Sequence, residues 1–302
     1  MYDPTDPRST LQKSAASAAK PAQPAADAEY GLFYKDPPQE DDANGRTWYS
    51  RGQNFVVAYS EAKPGASFER KDQIDEWMVL VPDHDTPFVA SAAKQEERGD
   101  GYSVLVMPPG ASKLTFPKGG RVVRIFTSRS KDIADKCANA ASYAEPHANI
   151  PPFEPWPDPV GGYKVRVYSL NVPKEPGRLG RIWRCTTFMI NYPELQIGAR
   201  DTSKLSPHYH DDFEQCSLLL AGTYIHHMRW PWTVDQKHWR EDVHAVVDSP
   251  SITVIPPPVI HTSVGTSAEN QLIDIFSPPR VDFSLKAGWV LNADEYPMPA
   301  KH

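Results

Sequence analysis

The sequence predicts an all-β protein built as two antiparallel barrels or jelly rolls. Short runs rich in β-branched and aromatic residues recur along the chain, separated by Gly, Pro or Asp. The intervals between them are too short for crossover helices, which argues against a parallel α/β arrangement. Thirty-one prolines in 302 residues leave few windows of helical period. A hydrophobic content of 40% supplies material for a proper core.

Taken in order, residues 1–30 are rich in Ala, Pro, Ser and Lys and lack the apolar stretch of a secretory signal, so they are expected to form a disordered, mobile arm. Residues 31–145 form the expected first barrel, with strands at 55–59, 77–81, 102–107 and 121–127. A proline-free helix at 131–143 closes it. The stretch 146–160 holds six prolines and reads as the connector, with Phe153 and Trp156 packing it onto the barrels. Residues 161–302 form the second barrel, with strands at 163–171, 182–191, 214–227, 244–247, 251–255 and 272–276. The tail at 289–299 is expected to cover a sheet edge or reach a partner chain.

A net charge of −6 without long Lys/Arg clusters offers no electrostatic footprint for nucleic acid or an anionic membrane. No run of eighteen apolar residues suggests a membrane span, and cytoplasmic residence is the default expectation. Cys137, Cys185 and Cys216 are odd in number and far apart, which argues against a disulfide framework. A small soluble ligand is the expected partner.

The chemistry concentrates in Ser206-Pro-His-Tyr-His-Asp-Asp-Phe-Glu-Gln-Cys, answered downstream by Ile255-Pro-Pro-Pro-Val-Ile-His261. Alternate side chains of a strand share a face, so His208 and His210 can meet one centre, and Glu214, at even spacing, can join them. Two His and a carboxylate with open coordination positions suit a metal that also holds substrate. His261 from a neighbouring strand makes a fourth ligand.

This segment resembles the first cupin motif: His-x-His, three or four residues, Glu, then about six residues and Gly. Seven residues separate Glu214 from Gly222 here, and Thr202 replaces the usual leading Gly. The second cupin motif, Pro-x-Gly-x-x-His and then Asn, is matched by Pro256 and His261, with Pro258 in place of Gly and Gly265 in place of Asn. The resemblance implies a double-stranded β-helix (jelly-roll) barrel and one divalent ion on His208, His210, Glu214 and His261. Fe(II) is favoured, with Mn(II), Zn(II) or Ni(II) as alternatives. It also implies a homodimer, by family habit alone.

The first half repeats the plan without the ligands. Aligning Glu76 with Glu214 puts Arg70 and Asp72 at the His positions. Pro108-x-Gly110-x-x-Lys113 matches the second motif with Lys for His. Arg and Lys are not ordinary ligands, so this barrel is expected to be degenerate and metal-free.

Around the motif, Arg184 is a candidate for binding a substrate carboxylate, or else a surface charge. His226 is a candidate catalytic group, with one of His226 and His227 facing the cavity and the other solvent. Cys216 shares parity with Glu214 and can face the same cavity, Tyr209 should face away, His238 and His244 belong on the surface, and Trp230-Pro-Trp232 can form a wall or lid. The expected function is a metal-dependent cupin enzyme, foremost an Fe(II) dioxygenase acting on a small oxygen-rich or aromatic acid. The alternatives are a Mn-dependent decarboxylase or isomerase and a non-catalytic ligand-binding cupin.

Overall fold

The computed structural model describes residues 25–300. The first half runs through β1 (Glu29–Gly31), β2 (Glu40–Asp42), β3 (Gly45–Arg51), β4 (Phe55–Ala62), β5 (Ala66–Gln73), β6 (Trp77–Val81) and β7 (Phe88–Ala92). It continues with β8 (Gln95–Gly99), β9 (Ser103–Met107), β10 (Gly110–Phe116), β11 (Gly120–Thr127) and the single-turn helix α1 (Lys131–Ala134). The second half holds β12 (Arg166–Ser169), β13 (Arg181–Arg184), β14 (Met189–Tyr192), β15 (Gln196–Ile197) and β16 (Glu214–Ala221). It ends with β17 (Thr223–Arg229), β18 (Val243–Asp248), β19 (Ser251–Ile255), β20 (Ile260–Gly265), β21 (Glu269–Ser277) and α2 (Val281–Ser284).

Each half is a barrel of one large and one small antiparallel sheet. The first pairs β12-β9-β6-β11-β4-β3-β2 with β5-β10-β7-β8; the second pairs β1-β19-β16-β21-β14-β13 with β18-β17-β20. The barrels exchange edge strands, because β1 precedes the first barrel but pairs with β19, and β12 opens the second half but pairs with β9. The boundaries read from sequence therefore shift at both ends.

The expected arm at 1–30 is corrected over its last residues. Ala25 and Ala28 pack on Met228, Trp230, Ile255 and Val259, and Glu29–Gly31 is paired; residues 1–24 lie outside the described part. The expected helix at 131–143 is reduced to α1 and a 3-10 turn at Ala140–Tyr143. The tail does cover an edge: Val290 bridges Ile182 of β13, and Trp289 and Tyr296 are buried.

Both faces of the central strands of the large sheets are buried, which explains why β6 and the stretch 218–220 of β16 read as unbroken apolar runs rather than alternating ones. In β6, Trp77, Val79 and Val81 fill the first barrel, while Met78 and Leu80 face outward. Cys216 and Leu218 of β16 face outward too, and join Met78, Leu80, Ile125, Ile252 and Ile275 in a core shared by both barrels. Each fully buried aliphatic side chain there is worth roughly 1.5–3 kcal/mol. Separating the barrels would expose that core, so they form one packed unit.

Candidate metal centre in the second barrel

Three of the four expected ligands meet. One nitrogen from each of His208, His210 and His261 lies within 4.8 Å of the others. His208 and His261 face each other across a two-residue antiparallel bridge, exchanging backbone bonds of 3.1 and 2.8 Å, so their side chains share the inner face. Their rings stand 4.5 Å apart. His208 Nδ1 is 2.8 Å from Ser206 O, and His261 Nδ1 is 2.9 Å from Val259 O. A carbonyl only accepts, so both rings carry their proton on Nδ1 and present the Nε2 lone pair, the tautomer a metal requires. Burial, reinforced by the His261 and His208 rings and Arg280, holds the His210 pKa well below the ordinary value, so this imidazole is neutral and able to ligate.

Glu214 is not in the cluster, contrary to the sequence expectation. The parity argument assumed an unbroken strand from His208 to Glu214, but residues 211–213 bend. Phe213 tucks against Phe276 and Phe283 and stacks on His210 at 4.1 Å, and β16 restarts with Glu214 on the outer face. Its carboxylate crosses to the first barrel and accepts from Gln53 N and Asn54 N, both at 2.8 Å. Gly52 permits this approach, since a Cβ there would lie 2.8 Å from Glu214 Oε1. Cys216, on the same face, is an inert thiol in the shared core, its pKa pushed up well above the ordinary value by burial.

The group beside the histidines is Gln215. Its Oε1 accepts from His210 Nε2 at 2.8 Å, while its Nε2 lies 3.3 Å from Asp274 Oδ1. Asp274 also accepts from Asn191 Nδ2 at 3.2 Å. The signal for Gln215 was present in the sequence, because the cupin spacing allows three or four residues after His-x-His, and four lead to Gln215. His210 Nδ1, the other ring nitrogen, is buried without a hydrogen-bond partner.

A cavity of about 330 Å³ opens on the cluster, lined by His208, His261, Gln215, Asp274, Arg200 and Ser263 among others. His226 lies behind Ser263, with Nδ1 2.7 Å from Ser263 Oγ, and burial lowers its pKa to about 3. His227 turns outward to His244 on the surface, and Tyr209 is exposed, both as expected. Arg184 is corrected: it is buried, donates to Tyr296 O and lies 5.2 Å from the Trp156 ring, so it pins the tail and connector and does not line this cavity. Trp230 is buried with its Nε1 on Ala26 O, and Trp232 stacks on Trp239 at the surface, so neither forms a wall of the cavity.

No family model and no curated protein matches the chain. Among solved structures, the oxalate decarboxylase of Lactobacillus farciminis, in its formate complex, aligns with TM-score 0.53 at 12% identity over 83% of this chain and 86% of that one. AerE from Microcystis aeruginosa aligns with TM-score 0.51 at 11% identity over 76% of this chain and 91% of that one. Ylba from E. coli gives 0.50 at 10% identity, over 87% and 94%. The fold is that of a bicupin.

The strand registers show why the first barrel differs. Met78 opposite Ile125 matches Cys216 opposite Ile275, and Val79 opposite Arg124 matches Ser217 opposite Asp274. Trp77 therefore stands where Gln215 stands, and Arg124 where Asp274 stands. Trp77 stacks on Phe126 at 4.9 Å, and the Arg124 guanidinium sits 3.8 Å from the Phe68 ring. Arg70 faces Ser112 as His208 faces His261. Lys113, the residue aligned with His261 from sequence, lies one place off: it is exposed and pairs with Glu69 at 2.9 Å. The interior of the first barrel is filled by aliphatic and aromatic side chains, with the buried Arg124 among them. Among the described residues, side chains able to ligate a metal converge only in the second barrel.

Proposed function

We propose that this bicupin is a metal-dependent enzyme whose second barrel holds one divalent ion on His208, His210 and His261, with Gln215 as a fourth donor, and acts on a small oxygen-rich compound. The observation that carries this reading is the convergence of three imidazoles, two of them in a fixed tautomer, beside a cavity that Gln215 and Asp274 also line. An ion bound there would supply Lewis-acid polarisation of substrate oxygens.

The chain's own residues supply the rest. Carbonyls of Ser206 and Val259 hold His208 and His261 in orientation. Exchange of the His210–Gln215 hydrogen bond for a shared cation would turn both side chains into ligands. Asp274, on the cavity wall and held by Gln215 and Asn191, is placed to take or give a proton.

Of the reaction classes expected from sequence, a non-oxidative one, decarboxylation or isomerisation with manganese, is supported by that carboxylate in the cavity. Elemental analysis of the purified protein, with oxygen uptake measured against hydroxy- and keto-acids after iron or manganese loading, tests the reading. Retained manganese without oxygen uptake supports it. Oxygen uptake with iron restores the Fe(II) dioxygenase, and failure to retain any metal leaves only a ligand-binding barrel.

A further inference from the structure

Beside the histidines, the cavity wall carries polar groups that metal binding does not employ. Arg200 donates from Nη1 to Ser263 O at 2.8 Å and from Nη2 to Ser206 Oγ at 3.0 Å. All three residues line the cavity with His208 and His261. Ser206 O also accepts from His208 Nδ1, so one serine separates the guanidinium from a ligand imidazole.

Ser263 is half-buried on the cavity, and His226 behind it is 1% exposed. His226 Nδ1 lies 2.7 Å from Ser263 Oγ, whereas its Nε2 is buried without a hydrogen-bond partner. A buried N–H lacking an acceptor costs about 1–3 kcal/mol, so the proton belongs on Nδ1, where Ser263 Oγ accepts it. The serine hydroxyl is then left to donate its own hydrogen towards its exposed side, the cavity.

We propose that Arg200 and Ser263, the latter oriented by His226, form a carboxylate-binding subsite, so that the substrate of the second barrel is a small carboxylate held at one end by these two residues. Its other oxygens face the histidine cluster, and for that end alone the inference rests on the metal reading above. A guanidinium and a hydroxyl offer a carboxylate charge-assisted hydrogen bonds of the strong kind. The proposed ligands are all neutral, so a bound divalent ion would keep its charge and favour an anion. The first barrel has no such pair: Leu114 opposite Ala90 occupies the place of Ser263 opposite His226. The polar pair thus accompanies the histidines and is absent where they are absent.

Calorimetric titration of malonate, and of its uncharged diamide, into the full chain with and without cobalt(II) tests the subsite, with metal content measured in parallel. The wild-type protein should bind malonate in both forms and bind the diamide far more weakly. Arg200→Gln should weaken malonate binding by about tenfold or more without loss of cobalt, Arg200→Lys should recover part of it, and Ser263→Ala should weaken it severalfold. A folded Arg200→Gln protein that binds malonate like the wild type overturns the proposal, as does a wild-type protein that does not prefer malonate to the diamide. Failure of the metal reading appears separately, as no retained cobalt, and the titration of the metal-free chain still decides the subsite.

Discussion

Glu76 and Glu214 hold equivalent places in the two barrels, and each reaches across the interface to the turn of the other barrel's hairpin. Glu214 accepts from Gln53 N and Asn54 N between β3 and β4; Glu76 accepts from Thr186 N at 3.0 Å and Thr186 Oγ1 at 2.8 Å between β13 and β14. Tyr296 OH completes the Glu76 site at 2.9 Å. The carboxylate that the cupin motif suggests as a ligand is here an inter-barrel clamp.

Glu214→Ala should therefore destabilise the protein while leaving metal content intact. The buried Asn54 N–H and the half-buried Gln53 N–H lose their acceptor, and the buried one alone costs about 1–3 kcal/mol. Denaturant unfolding should show the loss, and elemental analysis should show unchanged metal. Loss of metal with normal stability would return Glu214 to the ligand set.

The same residue predicts a pH dependence. Burial raises the Glu214 pKa from 4.5 to about 7, against the backbone hydrogen bonds that lower it. Between those values the folded state binds more protons than the unfolded one, so this contribution is fully present below the unfolded pKa and declines as pH rises through the folded one, by up to about 3 kcal/mol. Unfolding free energies of the metal-free protein, measured across that range, should lose this component in Glu214→Gln.

His208→Ala, His210→Ala and His261→Ala should each abolish metal retention at chelator-buffered concentrations, with the barrel still folded by far-UV circular dichroism. Each removes one of three converging imidazoles without touching the shared core. Full metal occupancy in any of them would contradict the assignment.

Gln215→Ala should weaken metal affinity by about 10–100-fold, the range found when a group that orients or supplements a ligand is removed. Gln215→Glu should tighten binding by placing a carboxylate beside the cation. Competition with a coloured chelator reads both, and equal affinities across wild type, Ala and Glu would remove Gln215 from the site.

Lys113→Ala should change neither metal content nor stability beyond about 0.5 kcal/mol, since its pair with Glu69 is exposed. Metal loss in this variant would mean that the first barrel takes part in binding.

The all-β class, the two-barrel plan and the three histidines were legible in the sequence because they rest on local information. Periodicity and turn residues mark the strands, and His-x-His with a Pro-flanked His261 marks the ligands. The exchange of β1 and β12, the outward turn of Glu214 after Phe213, the substitution of Gln215 and the structural use of Arg184 were decided only by tertiary structure. The physical reason is the same in each case. A bend of three residues or a pairing between distant strands redirects side chains according to what they can pack against, and the surfaces available for packing come from distant parts of the chain.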